Sequence, residues 1–458
     1  MPSRNYVLHG VTVSFCPLCQ KRISAKIIIR EGKVFLLKYC PEHGEREDLL
    51  EEDATYYLSR DKFEKPGTTS KTQTAIDKGC PFDCGLCPDH DQHTCIGLIE
   101  ITERCNLGCP VCYAYSGKGK DLEFEKISKM MDFFQESEGG KAEILQISGG
   151  EPTLHPRILD IIALAKEKKF RYVMLNTNGL RIANEPDFAK SLQQFRGGFE
   201  LYLQFDTFSD ENYMQIRGRK LVELRKKAVD NLALYNVPTT LVATIENGRN
   251  DGELGEIIAY AMEKKNIRGI NFQPIAFFGR LRENHDMSKR LTLTGVLKRI
   301  EEQTKGTIKT SDFIPLPCDT DRVAITYLIK SGSSFLPITR KIKVENYLEF
   351  LDNTLVFKAE EMMSAAKNRT FSLPICDCLP FLRDMSRLLP KNFSKQTTEE
   401  RMEFVDNNTF RITVTSFVDM YNFEAKAMKK ECVHIITPDL KRIPFSAYNM
   451  IHRPEISR

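Results

Sequence analysis

From about residue 95 onward, short apolar runs alternate with longer amphipathic stretches. The runs read "GLIEIT", "AEILQIS", "YVMLNTN", "LYLQFD", "TTLVATI" and "IRGINFQPI". Between them stand "FEKISKMMDFFQES", "PRILDIIALAKEKK", "RKLVELRKKAVDNLALYN" and "DGELGEIIAYAMEKK". Strand-length runs separated by helices of this length predict parallel βαβ units, since parallel neighbours need a crossover. About six units over roughly 200 residues predict an α/β fold built on a parallel (β/α) barrel, complete or partial. In such folds the loops after the strand C-terminal ends carry the active site.

The pattern differs on either side. Residues 1–60 predict a small metal-binding ribbon module, with alternating strands "SAKIIIR" and "KVFLLKY" between "CPLC" and "KYCPEHG". Residues 61–95 contain a polar linker, "KFEKPGTTSKTQT", and then a cysteine-rich segment. The barrel spans 96–315. Residues 316–458 predict a cysteine-bearing α+β domain, with "RVAITYLIK", "ITRKIKVENYLEFL" and "TFRITVTSFVDMYN" as strands.

Composition narrows the class. Of 458 residues, 41% are hydrophobic and 28% charged, as in an ordinary globular protein. A net charge of +4 and the lack of a broad basic tract give nucleic acid little to bind. No apolar run reaches membrane-spanning length, and "MPSRNYVLHG" has no signal-peptide core. A cytoplasmic protein is expected, with a peripheral contact at the inner face of the membrane left open.

Fourteen cysteines change the picture, because cytosolic thiols stay reduced and grouped thiolates bind metal. Cys16, Cys19, Cys40 and His43 predict a tetrahedral site for zinc or, rubredoxin-like, a single iron. Cys80, Cys84 and Cys87 are spaced C-x3-C-x2-C, and Cys95 follows as a fourth thiolate, so they predict a closed [4Fe–4S] cube. Cys105, Cys109 and Cys112 repeat the spacing on the loop after "GLIEIT" with no fourth cysteine nearby, which leaves one iron open. Cys318, Cys376, Cys378 and Cys432 predict a third cube, with His434 and His452 as alternate ligands or substrate contacts. The expected total is three [4Fe–4S] clusters plus one zinc or mononuclear iron.

"ERCNLGCPVCYA" followed by "ISGGEPTLHP" resembles the signature of radical S-adenosylmethionine (SAM) enzymes. The resemblance implies that Cys105, Cys109 and Cys112 hold the catalytic cluster, whose open iron chelates the methionine part of SAM. It implies further that Gly149, Gly150 and Glu151 meet the SAM amino group. The residue before the last cysteine is commonly aromatic in that family; here it is Val111, and Tyr113 is the compensating candidate against adenine. Polar groups at other strand ends complete the expected cofactor set: Asn176, Asn178, Asp206, Arg217, Thr244, Asn247 and Gln273. Arg217 is expected to pair with the SAM carboxylate. SAM cleavage then yields a radical that abstracts hydrogen from an unactivated C–H bond, with an electron donor such as ferredoxin or flavodoxin as partner.

The whole constellation of modules is similar to the archaeal tetraether lipid synthase family, which has also been described as radical SAM methyltransferases of a reduced pterin precursor. The first reading implies carbon–carbon bond formation between lipid alkyl chains, in lipid biosynthesis. The alternative implies transferase chemistry on a reduced hydroxymethylpterin, and a nucleic-acid-modifying enzyme stands third. An alkyl substrate calls for long apolar channels, a pterin for a short polar cavity.

Overall fold

This computed structural model describes residues 4–453 apart from 69–70, 283–284, 287–288, 332–333 and most of 346–406. The N-terminal residues form an antiparallel meander of β1 (Val7–Phe15), β2 (Arg22–Arg30), β3 (Lys33–Cys40) and β4 (Gly44–Glu51), closed by α1 (Ala54–Ser59). β3 shows the two-residue period, burying Val34, Leu36, Lys38 and Cys40. Lys38 is buried because it bridges modules: its ammonium meets Asp48 at 3.0 Å and donates to the Tyr421 carbonyl at 2.7 Å.

All six expected parallel strands are present. They are β5 (Ile96–Glu100), β6 (Ile144–Ser148), β7 (Tyr172–Thr177), β8 (Phe199–Gln204), β9 (Thr239–Ile245) and β10 (Ile267–Pro274), paired in sequence order. The crossovers carry α2 (Phe124–Ser137), α3 (Ile158–Glu167), α4 (Leu180–Asn184), α5 (Pro186–Leu192), α6 (Asp210–Arg217), α7 (Val222–Leu234) and α8 (Leu254–Glu263). Helix α2 buries Ile127, Met130, Met131 and Phe134, one face of a 3.6-residue repeat. It packs on outward strand residues such as Ile99, Leu145 and Ile147 in the main core. α9 (Leu293–Gln303) covers the far side, with Val296, Leu297 and Ile300 in the same core.

The C-terminal residues extend this sheet on both edges. β14 (Thr409–Thr415) lies parallel to β10, and β15 (Val433–Ile436) lies parallel to β5. Eight consecutive strands are therefore parallel, an open partial barrel. Beyond β14 come antiparallel β12 (Asp319–Ser331) and its neighbours β11 (Ile314–Leu316) and β13 (Ser334–Pro337); beyond β15 comes β16 (Arg442–Pro444). The strand expected at "ITRKIKV" is instead a short 3-10 turn at Ile338–Arg340. Cys376 and Cys378 lie outside the described residues. No helix among the described residues is long and apolar enough to cross a membrane.

Candidate active site

The loop after β5 carries Cys105, Cys109 and Cys112, with Cys109 buried and the other two half-buried. Leu107, Leu180, Tyr213, Leu221 and Val222 pack behind it. Burial pushes the Cys105 thiol up to about 11 and raises Cys109 as well, the field of Arg217 and Arg225 partly opposing it at Cys109. Sequence reasoning missed the clamp on this loop, Arg280. Its backbone N–H donates to the Cys112 carbonyl (2.8 Å), and its guanidinium to the Cys109 and Ser116 carbonyls (2.8 and 3.1 Å). The only signal was a cationic residue just after a glycine, and Gly279 is needed there: a Cβ would lie 2.5 Å from the Cys112 carbonyl oxygen.

Gly149 and Gly150 follow β6 and face this loop. A Cβ at Gly149 would lie 2.3 Å from the Thr102 carbonyl oxygen, and one at Gly150 would lie 2.2 Å from that of Arg104. The two glycines thus let the end of β6 zip onto the cysteine loop, through Gly150 N–H to Thr102 and Glu151 N–H to Arg104, both 2.8 Å. The Glu151 carboxylate is buried and accepts from Thr153 N–H (3.2 Å), Thr153 Oγ1 (2.5 Å), Thr177 Oγ1 (2.7 Å) and Asn178 N–H (2.7 Å). Burial still raises its pKa.

The other strand ends converge on the same rim. Asn178 donates to Asn106 of the cysteine loop at 2.7 Å. Asp206 and Arg217 form a buried bidentate pair (2.8 and 2.7 Å), and Thr244 completes it by accepting from Arg217 at 2.9 Å and donating its N–H to Asp206 at 2.9 Å. Tyr113 bonds Ser148 at 3.0 Å and packs edge-on against Phe445, while Val111 packs with Ile275 and Phe277. Gln273 sits half-buried on β10 beside Thr244 of β9. Asn247 is turned away, accepting from Arg299 of α9 at 3.0 Å.

Toward the strand C-terminal ends the inner face of the sheet is polar, beside an apolar patch of Ile144 and Met174 flanked by Ile96, Tyr172 and Tyr202. Gln146 donates to Asn176 (2.6 Å), Asn176 to Ser148 (3.1 Å), Asn271 to Tyr202 (3.3 Å) and Thr415 to Asn271 (3.0 Å). Gln204 adds a buried Oε1 with no hydrogen-bond partner among the described residues.

The metal groups need correction. Among the described residues, ligand atoms converge within 4.8 Å of one another in two sets: Cys16, Cys19, Cys40 and His43, and Cys95, Cys318 and Cys432. Three [4Fe–4S] cubes are not what this arrangement offers. Cys95 does not close a site with Cys80, Cys84 and Cys87. It pairs instead with residues remote in sequence, because the parallel β15–β5 pairing sets the Cys95 N–H 2.9 Å from the Cys432 carbonyl. Burial raises the Cys95 pKa, but contacts from Cys318, Cys432 and His93 outweigh it and hold the thiol well below its usual range. Cys80, Cys84 and Cys87 line a cleft with His90, Met428 and Lys429.

His434 is a buried partner of Thr94 and His90 (2.8 and 3.1 Å), and His452 donates to the Pro81 carbonyl at 2.7 Å. In the N-terminal set, Cys19 and Cys40 sulfurs are 3.7 Å apart, and His43 Nδ1 is 3.6 Å from both Cys16 and Cys40. Those edges suit a tetrahedron with metal–sulfur bonds of about 2.3 Å. Against burial, the His43 ring and nearby amides bring Cys40 down to about 6.

Comparison with known proteins agrees with this geometry. Residues 99–261 match the Radical SAM superfamily, and residues 8–52 match the HMPTM N-terminal zinc ribbon domain. A 7,8-dihydro-6-hydroxymethylpterin dimethyltransferase of Methanocaldococcus jannaschii is 36% identical across 97% of this chain and 94% of its own length. The chain belongs to the radical SAM superfamily and, within it, to the family of that archaeal relative. A GTP 3',8-cyclase of Limosilactobacillus fermentum is 32% identical over 39% of this chain and 54% of its own. The peptide-bound SuiB structure of Streptococcus suis overlaps 46% of each chain at 15% identity and a TM-score of 0.39, too low to bear on function. The protein is thus a radical SAM enzyme: it cleaves SAM reductively and abstracts hydrogen by a radical route.

Proposed function

We propose that this enzyme methylates a reduced hydroxymethylpterin at an unactivated carbon, drawing on a one-carbon donor and a one-electron reductant such as ferredoxin or flavodoxin. The observation that carries the reading is the set of polar side chains on the inner face toward the strand C-terminal ends. Gln146, Ser148, Asn176, Tyr202, Gln204 and Asn271 offer fixed donors and acceptors of the kind a pterin ring matches edge to edge. An alkyl chain gains about 0.8 kcal/mol per methylene only where it displaces water onto apolar surface. Against this face it would leave the Gln204 Oε1 buried without a partner, at a cost of about 1–3 kcal/mol. The 36% identity to a pterin dimethyltransferase supports the same choice over lipid coupling.

A cluster on Cys105, Cys109 and Cys112, with SAM on its open iron, would supply the one-electron cleavage that starts the reaction. The chain's own residues prepare the place. Arg280 and the Gly149–Gly150 backbone anchor the loop that carries the three cysteines. Glu151 ties the ends of β6 and β7 together through Thr177 and Asn178. Tyr113 packs edge-on against Phe445 and would wall off one side of the site.

The test is anaerobic turnover with SAM and a reductant, followed by mass spectrometry. Reduced hydroxymethylpterin and isoprenoid lipid are offered separately. Methylated pterin is expected, and Asn176→Leu should lower its yield at least about tenfold by removing a matched donor–acceptor pair. Coupled alkyl chains with the pterin untouched would overturn the reading.

A further inference from the structure

Helix α7 turns Val222, Arg225, Ala228 and Val229 inward on one face. Three of these are apolar, and the fourth is a fully buried arginine. None of Arg225 Nε, Nη1 and Nη2 has a hydrogen-bond partner among the described residues. Its surroundings are the Tyr213 ring, 5.9 Å from Cζ, and Gly179, where a Cβ would lie 3.7 Å from Nη1. Beyond them lies the apolar set of Leu107, Cys109, Leu180 and Tyr213 that backs the cysteine loop. The nearby acids are committed elsewhere, Asp206 to Arg217 and Glu151 to Thr153, Thr177 and Asn178.

A guanidinium cannot shed its charge in a protein, so burial without a partner strips its hydration for no return within the chain. The missing counter-charge has a natural source. Three thiolates and an iron–sulfur cube carry net negative charge, and reduction adds one more. We propose that Arg225 is a fixed positive charge set behind the cysteine loop to raise the reduction potential of the cluster held there. The inference rests on Cys105, Cys109 and Cys112 being that cluster's ligands. The electron itself comes from the external one-electron donor, and Arg225 only favours the state it produces. Because the charge is permanent, the effect is independent of pH across the working range.

The experiment is a redox titration of the reconstituted full chain, followed by electron paramagnetic resonance on the signal that SAM perturbs. In Arg225→Met, the reduced-to-oxidised ratio at a fixed poise should fall at least about tenfold, a shift of about 59 mV to more negative potential for one electron. Arg225→Lys keeps the charge and should stay within about threefold of wild type. Thermal unfolding of the metal-free protein adds a second readout: Arg225→Met should be at least as stable as wild type, since an unpaired buried charge has been removed. An unchanged potential at full iron content, a lysine variant that shifts as far as methionine, or a methionine variant that no longer folds would each overturn the proposal. A triple Cys105, Cys109 and Cys112 alanine variant that kept the titrated signal would instead show that the ligand assignment beneath it is wrong.

Discussion

The Asp206–Arg217 pair decides what the arginine does, and its energetics can be worked from the geometry. Asp206 is fully buried and Arg217 is 6% exposed. Two guanidinium bonds of 2.8 and 2.7 Å join them, and Thr244 adds one bond to each. Removing one partner of a buried pair leaves the other charged and dry, which costs about 3–5 kcal/mol. Replacing both with apolar groups removes the desolvation cost together with the attraction and is often neutral. Arg217→Met should therefore lose about 3–5 kcal/mol, Asp206→Leu a similar amount, and the double variant only about 1–2 kcal/mol. Anaerobic urea unfolding of the three variants measures this, and calorimetry of SAM binding to the double variant adds the functional side. The reasoning is refuted if Arg217→Met costs under about 1 kcal/mol, or if the double variant loses the sum of the singles. An arginine kept for the SAM carboxylate would behave in that other way, with weakened SAM binding and little change in stability.

Two further outcomes follow from buried groups. Burial first, and the nearby Asp321 second, push the Glu424 carboxyl up to about 7. The folded state then holds this proton more tightly than the unfolded chain, whose carboxyl titrates near about 4.3, so stability falls as pH rises through this window, by up to about 4 kcal/mol. Glu424→Gln should flatten that slope and gain stability at pH 8 relative to pH 5, as urea unfolding at the two values would show. In the ribbon, Cys19→Ser should lose the zinc and open residues 8–52 to protease while the barrel core stays folded, which metal analysis and limited proteolysis test together. Retained zinc would refute that ligand set.

The six barrel strands and their long helices were legible because periodicity is a local property. "FEKISKMMDFFQES" carries its own helix signal, and α2 occupies that same stretch. The edge strands were not legible in this way. β14 read as a strand of a separate appendage and β15 was not read as a strand, and only long-range pairing shows that both continue the barrel sheet. The same non-locality misplaced Cys95, since sequence spacing linked it to Cys87 and the fold links it to Cys432. Burial of charge was not legible either. Arg217 was expected at the SAM carboxylate, and its buried pairing with Asp206 needed the fold to show; Arg225 carried no reading at all, yet it is fully buried. A lone basic letter does not disclose its burial.

One consequence of the edge strands bears on chemistry. Cys95 directly precedes β5, and the cysteine loop with Cys105, Cys109 and Cys112 follows it. Five residues of strand span about 16 Å, so the two cysteine groups lie at opposite ends of one strand. On the proposed reading, substrate lies at the C-terminal end, where the polar inner residues and the proposed SAM-binding rim meet. The Cys95, Cys318 and Cys432 sulfurs are fully buried at the other end. On that reading they lie too far from the reacting centre to hold a carbon intermediate there, the role proposed for an extra site in joining alkyl chains. What they join is structure: the strand before the catalytic loop, the β11–β12 turn and the start of β15. A site that clasps the C-terminal strand to β5 fixes the strand that leads into the Cys105–Cys112 loop, so on the proposed reading it bears on the chemistry through the geometry of β5.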